Sequence, residues 1–171
     1  MNIDFQQYLP GDFKENSRVW IYQSSRLFTI SEALQVEILL NNFTENWKSH
    51  GAPVKGFGGL LFGQFIVLMA DETLTPVGGC STDSSVKIIK EAELIFGVSL
   101  FDRQTLAFIL KDKIERLPLS QLDYAIANNF ITPDTLYFNN TVPTKKAMTE
   151  QWIIPVKDSW LAKKFRGLEL V

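Results

Sequence analysis

Two segments of the chain place apolar residues at helical spacing. The first predicted helix begins at Thr29, where Thr29-Ile30-Ser31-Glu32 fits a capping box. Gly51 marks its predicted end, because glycine commonly follows the last helical turn. The predicted apolar stripe of this helix consists of Val36, Leu39, Leu40, Phe43 and Trp47.

The second predicted helix covers about residues 83–96, and Gly97 ends it. Its apolar residues again recur at helical spacing. Three consecutive residues at its start belong to types that cap a helix N-terminus: Ser81, Thr82 and Asp83.

Strands are predicted where β-branched and aromatic residues cluster. The first covers residues 17–23. A glycine-rich hairpin follows over residues 54–70, and its second strand contains "FIVLMA", which has no polar alternation and is therefore predicted to be buried. A further strand over residues 105–110 turns back over residues 114–119.

The first 110 residues therefore follow the order β-α-β-β-α-β, the split βαβ or ferredoxin-like pattern. This order predicts an α+β fold with an antiparallel four-stranded sheet. We expect a single domain over residues 1–171, since no linker or composition shift divides the chain. Within it, residues 1–16 form a loosely held arm, residues 17–110 the core, and residues 111–171 a C-terminal α/β extension.

The charge balance argues against nucleic acid as a partner. The net charge is -2, and phosphate binding needs a clustered positive surface. The densest basic cluster, Lys163, Lys164 and Arg166, is short and is predicted to be a solvated end.

The hydropathy pattern predicts a cytoplasmic protein with no membrane contact. The most apolar stretch, residues 60–70, is about half the roughly 20 residues that a membrane span needs. The N-terminus has neither the basic start nor the apolar run of a signal peptide. One cysteine, Cys80, suits a reducing compartment and allows no internal disulfide. With one histidine besides, we expect no metal site and no cofactor.

The stretch "GGCSTDSS" around Cys80 is the candidate site, and three interpretations of it stand open. It is a helix N-terminus in which Cys80 is an inert buried residue, or a turn that binds a small polar ligand or anion, or a thiol site. In the ligand interpretation the backbone and hydroxyl groups bind. These groups belong to Gly78, Gly79, Ser81, Thr82 and Ser84.

In the thiol interpretation Cys80 is a nucleophile. A helix N-terminus favours the thiolate form of a cysteine. The base is His50, with Asp83 as an alternative partner. The sequence leaves open whether His50 and Cys80 lie close together.

At "SRVWIYQSSR", "GGCSTDSSVKIIKE", "FNNTV" and "VKDSWLAKKF" the chain resembles a family of small Bacteroidetes proteins that often carry the label "ABC transporter ATPase". The resemblance implies a cytoplasmic bacterial protein and assigns no catalytic residue. The nearest stretch to a phosphate loop is "GFGGLLFGQF", which has neither a Gly-Lys pair nor a following Ser or Thr, so an ATPase is not predicted.

These observations favour a small binding or interaction protein with its pocket at residues 78–85. Its partner is a small ligand or another protein, and a homodimer through a sheet edge is one option. The alternative is a small enzyme that uses Cys80 as its nucleophile.

Overall fold

The computed structural model describes residues 1–165, and these residues separate into two compact units. The larger unit contains Asp4–Asp102 and Asn140–Thr149. The smaller unit contains Met1–Ile3, Arg103–Asn139 and the described residues from Glu150 onward.

The larger unit contains a 3-10 turn, five strands and two long helices. These are the 3-10 turn at Gln6–Tyr8, β1 at Arg18–Gln23, α1 at Ile30–Asn46, β2 at Lys48–Ser49, β3 at Ala52–Pro53, β4 at Lys55–Leu61, β5 at Phe65–Asp71 and α2 at Gly79–Phe96. A three-stranded antiparallel sheet has the order β1-β5-β4. A short two-stranded ladder, β2-β3, lies between α1 and β4 in the chain.

The smaller unit contains β6 at Thr105–Leu110, β7 at Lys113–Pro118, α3 at Leu122–Ala127, β8 at Leu136–Phe138, β9 at Ile153–Pro155, and 3-10 turns at Leu119–Gln121, Val156–Asp158 and Trp160–Lys164. Its four strands form one sheet with the order β7-β6-β8-β9. The helix α4, Lys145–Gln151, begins in the larger unit, and its last two residues belong to the smaller one.

The α+β class is confirmed, but the ferredoxin-like sheet is not. The strand predicted at residues 105–110 exists as β6, yet it pairs with β7 and β8. The free edge of β1 is instead taken by a later segment. The Val19 N–H donates to the carbonyl of Pro143, and the Lys145 N–H donates to the carbonyl of Ser17. The strand at residues 105–110 was predicted for the core sheet but pairs in another sheet. Residues 143–145, predicted for the extension, pair with β1 instead.

The N-terminal arm is packed rather than loosely held. Its apolar side chains Phe5, Leu9 and Phe13 are buried. The ammonium group of Lys145 donates to the carbonyl of Pro10 at 2.7 Å and to that of Phe13 at 2.8 Å. The spacing of four residues between these apolar positions is the signal that sequence reasoning missed.

The larger unit has its core between β5 and the two long helices. Every residue of β5 is buried, as predicted for the run without polar alternation. Val36 and Leu40 of α1 and Ile89 and Ala92 of α2 are fully buried in the same cluster as Ile66 and Leu68. A separate core fills the smaller unit, with Phe108, Leu122, Ile131, Val156 and Leu161 among its buried residues.

The start of α1 is confirmed and its end is not. Thr29 accepts from the Glu32 N–H while the Glu32 carboxylate accepts from the Thr29 N–H, which completes the capping box. The helix ends at Asn46, five residues before Gly51. His50 (φ 50°) and Gly51 (φ 84°) form the two-residue turn between β2 and β3. Two positive φ angles are typical of a type I′ hairpin turn, which glycine adopts without steric cost.

Candidate functional site

The helix α2 begins earlier than the sequence suggests. Its N-cap is Gly78, no side chain caps it, and Gly79 is its first residue. Ser81, Thr82 and Asp83 therefore lie inside the first turns, and the prediction that they cap the helix is wrong. The carboxylate of Asp83 is exposed and remains close to the positive end of the helix dipole.

The hydroxyl groups of this segment donate to backbone carbonyls. Ser81 Oγ donates to the carbonyl of Lys48 at 3.2 Å and Thr82 Oγ1 to that of Gly78 at 3.1 Å. Ser84 Oγ donates to the carbonyl of Cys80 at 3.0 Å, and Ser85 Oγ donates to that of Thr82 at 2.7 Å. Each hydroxyl has one proton to donate, so these donors are occupied within the chain. Binding of a ligand by Gly78, Gly79, Ser81, Thr82 and Ser84 stays a prediction.

The β2-β3 hairpin brings His50 to the start of α2. The Gly78 N–H donates to Ser49 Oγ at 3.4 Å, and the indole N–H of Trp47 donates to the carbonyl of Ser81 at 3.0 Å. A Cβ placed on Gly78 would lie 3.2 Å from Nε2 of His50. The structure thus juxtaposes the His50 ring with the turn that precedes Cys80.

Cys80 is exposed, so the interpretation in which it is a buried residue is wrong on that point. Its neighbours Ser81 and Ser85 take the inward positions of the helix instead. The thiol of Cys80 and the imidazole of His50 are both accessible to a molecule that approaches from solvent. Among residues 1–165, no three His, Cys, Asp or Glu side chains group in a way that could hold a metal ion.

A second charged cluster lies where β5 ends. Asp71 is 4% exposed and accepts from the backbone N–H groups of Lys14 at 3.3 Å and Thr73 at 3.1 Å. It also accepts from the Thr73 hydroxyl, and Lys55 Nζ lies 3.5 Å away. The Thr73 hydroxyl bond, the backbone bonds and the Lys55 charge lower the pKa of Asp71 to about 2. Because its acceptor sites are filled from within the chain, Asp71 joins the arm to the sheet.

The smaller unit contains an apolar groove of about 320 Å³ between β6, β7 and the segment that carries α3. Tyr124 and Phe130 line it and are 68% and 61% exposed. Glu115, Arg116 and Gln121 are its polar lining residues, and its apolar walls come from Phe108, Leu110, Leu117, Ala125 and Ile131.

Sequence reasoning did not find this groove. The sequence predicts the β6-β7 hairpin, but nothing in its spacing says which residues pack against it. Tyr124 and Phe130 were the available signal, and they have no periodicity that separates them from core residues.

The basic C-terminal residues are partly paired. Lys164 Nζ lies 3.0 Å from a carboxylate oxygen of Asp123, and Lys163 Nζ lies 5.5 Å from the centre of the Trp160 ring. Arg166, the third member of the predicted cluster, falls outside the described residues. Across residues 1–165, every helix is too short or too polar to cross a membrane.

Comparison of the chain with protein-family models, curated proteins and solved structures finds no match.

Proposed function

We propose that this chain is a binding protein and that the groove of the smaller unit takes a compact apolar ligand with a cationic head. The observation that carries the proposal is a concave apolar site whose lining includes two largely exposed aromatic side chains, Tyr124 and Phe130. Binding sites for small molecules are typically concave, apolar and supplied with a few polar groups. The proposed pocket therefore moves from residues 78–85 to the groove.

The size of the groove limits the ligand. At about 320 Å³ it is near the lower end of the roughly 300–1,000 Å³ found for ligand pockets. A single ring with a short chain fits this volume, whereas a dinucleotide does not. Tyr124 and Phe130 offer ring faces for stacking on such a ring.

The charge of the head group follows from strand alternation. Phe108 pairs directly with Glu115, and Leu106 pairs with Leu117, so these side chains share one face of the sheet. Arg116 is adjacent to Glu115 in the strand and therefore lies on the opposite face of the sheet. Lys113, opposite Leu110, also lies on this face, but Glu115 and Arg116 are the charged residues that line the groove. Of these two, Glu115 is the one on the face of the apolar walls, and its carboxylate favours an ammonium over a carboxylate.

The proposal is tested with two probes of equal length, 4-phenylbutylamine and 4-phenylbutyrate. In a titration followed by amide chemical shifts, we expect saturable shifts near Leu117, Tyr124 and Phe130. A ligand of this size should bind with a dissociation constant on the order of 1 mM. The amine should bind a few-fold more tightly than the acid, because an exposed ion pair contributes up to about 1 kcal/mol.

Three variants sharpen the test. Phe130→Ala should weaken binding of the amine, and Glu115→Gln should remove the preference for the amine. Leu94→Ala is the matched control, because Leu94 is 87% exposed and belongs to the larger unit. Shifts that do not saturate, or equal binding by Phe130→Ala and Leu94→Ala, would contradict the proposal.

One observation favours the alternative in which the protein is an enzyme with Cys80 as its nucleophile. Cys80 is exposed, and the ring of His50 lies beside Gly78. As a nucleophile, Cys80 should react with iodoacetamide at neutral pH about tenfold faster in the folded chain than in urea. His50→Ala should remove most of that difference. Equal rates in the folded and unfolded chains would rule this alternative out.

The proposed setting is the cytoplasm of a Bacteroidetes bacterium. The resemblance of the four sequence motifs and the lone thiol of Cys80 support it. No nucleic acid, metal or cofactor is part of the proposal, and ATP hydrolysis is not proposed.

A further inference from the structure

The outward face of α1 carries an apolar stripe that nothing among the described residues covers. Ile30 is 84% exposed, Leu34 63% and Ile38 61%, and Leu27 just before the helix is 61% exposed. The opposite face of the same helix buries Val36 and Leu40 completely. A surface helix normally has polar residues on its outward face, and contiguous exposed apolar residues mark interaction sites.

The spacing of the stripe is symmetric about its centre. Ile30 and Ile38 lie four residues before and after Leu34, so each step advances about 6 Å along the helix. Two copies of α1 packed antiparallel about a two-fold axis at Leu34 place Ile30 of each copy against Ile38 of the other. The surface is therefore complementary to itself, as a two-fold interface requires.

The charges around the stripe permit this pairing. Ser31, Gln35 and Asn41, which flank the apolar residues, are uncharged. The two nearby carboxylates are engaged within their own copy. Glu32 accepts from Arg26 and from the Thr29 N–H, and Glu37 accepts from the Leu60 N–H at 3.2 Å.

The two ends of the stripe differ in charge: the N-terminal end holds the Arg26–Glu32 ion pair and the positive end of the helix dipole, whereas the C-terminal end holds the carboxylate of Glu45. Arg26 precedes the N-terminus of α1, and the exposed Glu45 lies in its last turn. An antiparallel arrangement brings the Glu45 end of each copy next to the Arg26 end of the other. The helix dipoles also oppose each other in this arrangement, which is favourable.

We propose that α1 is the interface of a homodimer in which two copies pack antiparallel through Ile30, Leu34 and Ile38. This differs from the sheet-edge dimer considered from the sequence, and the edge of β1 is already occupied by residues 143–145. The stripe is short beside the roughly 20–30 residues a side of a standard interface, so the dimer should be weak.

Sedimentation equilibrium of the full chain from about 5 to about 500 µM brackets the affinity of weak interfaces. We expect the mass to rise toward twice that of the chain for the wild type and for Leu94→Glu, a control on the exposed face of α2. Leu34→Glu should stay at the mass of one chain. A wild type that remains monomeric overturns the proposal and would mean that something other than a second copy covers the stripe. A Leu34→Glu variant that still dimerises also overturns it.

Cross-linking tests the geometry without a disruptive charge. In a Cys80→Ser background, oxidised Leu34→Cys should form a disulfide-linked dimer with itself. Ile30→Cys and Ile38→Cys should cross-link to each other in a mixture far more than either does alone. Self-linking of Ile30→Cys at the rate of Leu34→Cys would indicate a parallel or random association and contradict the proposal. The groove lies in the other unit, so this experiment succeeds or fails independently of the ligand titration.

Discussion

The surroundings of Asp71 explain why its side chain stays ionised at unusually low pH. Its hydrogen bonds from Thr73 and Lys14 and the nearby Lys55 lower its pKa from the ordinary 3.8 to about 2. A carboxylate with a lowered pKa stabilises the folded state above its unfolded pKa, and that stabilisation is lost as the pH falls through the folded pKa. Asp71 therefore contributes stability that is complete above about pH 4 and disappears toward pH 2.

Asp71→Asn should lower the free energy of unfolding at pH 7 by about 1–3 kcal/mol. The side-chain NH2 group of the variant is a donor, and it would replace a carboxylate oxygen that accepts hydrogen bonds from Thr73 and Lys14. The loss should shrink as the pH is lowered from 4 to 2, where the wild-type carboxylate becomes protonated. Urea unfolding followed by far-UV circular dichroism at several pH values measures both effects. A difference between wild type and variant that stays constant down to pH 2 would contradict the assignment.

The hydroxyl residues after Gly78 show where prediction from single residues fails. The cap at Thr29 was predicted correctly because its partner Glu32 is three residues away. Ser81 resembles a cap equally well in sequence, but its hydroxyl donates to Lys48, which is 33 residues away. A cap whose hydrogen-bond partner is a few residues away can be predicted from the sequence. A hydrogen-bond partner that only the tertiary fold brings close cannot.

At the scale of elements, α1 approaches β4 closely because two positions of the strand lack side chains. A Cβ on Gly56 would lie 2.7 Å from Cε3 of Trp47, and a Cβ on Gly58 would lie 3.0 Å from Cβ of Leu40. The glycines of this strand therefore allow the close approach of the helix. Trp47 is 2% exposed, and its N–H bond to Ser81 links this contact to the start of α2.

Gly56→Ala should destabilise the chain by about 1–3 kcal/mol, because the Trp47 ring is too tightly packed to move aside without strain. Urea unfolding monitored by tryptophan fluorescence measures the change. Gly11→Ala is the matched control, because a Cβ there would meet no atom within 4 Å. We expect the control to change stability by less than about 0.5 kcal/mol. Equal effects of the two variants would show that the close contact carries no strain.

The helices and strands themselves were largely predictable, and their ends less so. The buried β5 and the two long helices follow from hydrophobic periodicity. The end of α1 was placed five residues late, because Gly51 serves a hairpin turn instead of a helix terminus. Both uses exploit a positive φ, so the residue type alone does not distinguish them.

At the scale of the whole molecule, neither unit is a continuous segment of chain. Residues 140–149 return to the larger unit and complete the edge of β1, and Lys145 then holds the N-terminal arm. Contacts between residues more than 120 apart, such as that of Lys145 with Phe13, leave no periodic signal in the sequence. The prediction of one four-stranded ferredoxin-like sheet was wrong at this level, since β6 belongs to a different sheet from β1, β4 and β5.

The sequence by itself determined the α+β class, the positions of the main helices and strands, and the capping of α1. These depend on patterns within about ten neighbouring residues, where backbone sterics and hydrophobic periodicity act directly. Tertiary structure alone decided that Cys80 is exposed, that His50 lies beside Gly78, that β6 joins a second sheet, that α1 leaves Leu34 exposed, and that Tyr124 and Phe130 border a groove. Each of these depends on which buried faces meet across long stretches of chain, and packing selects that arrangement only after the local elements exist.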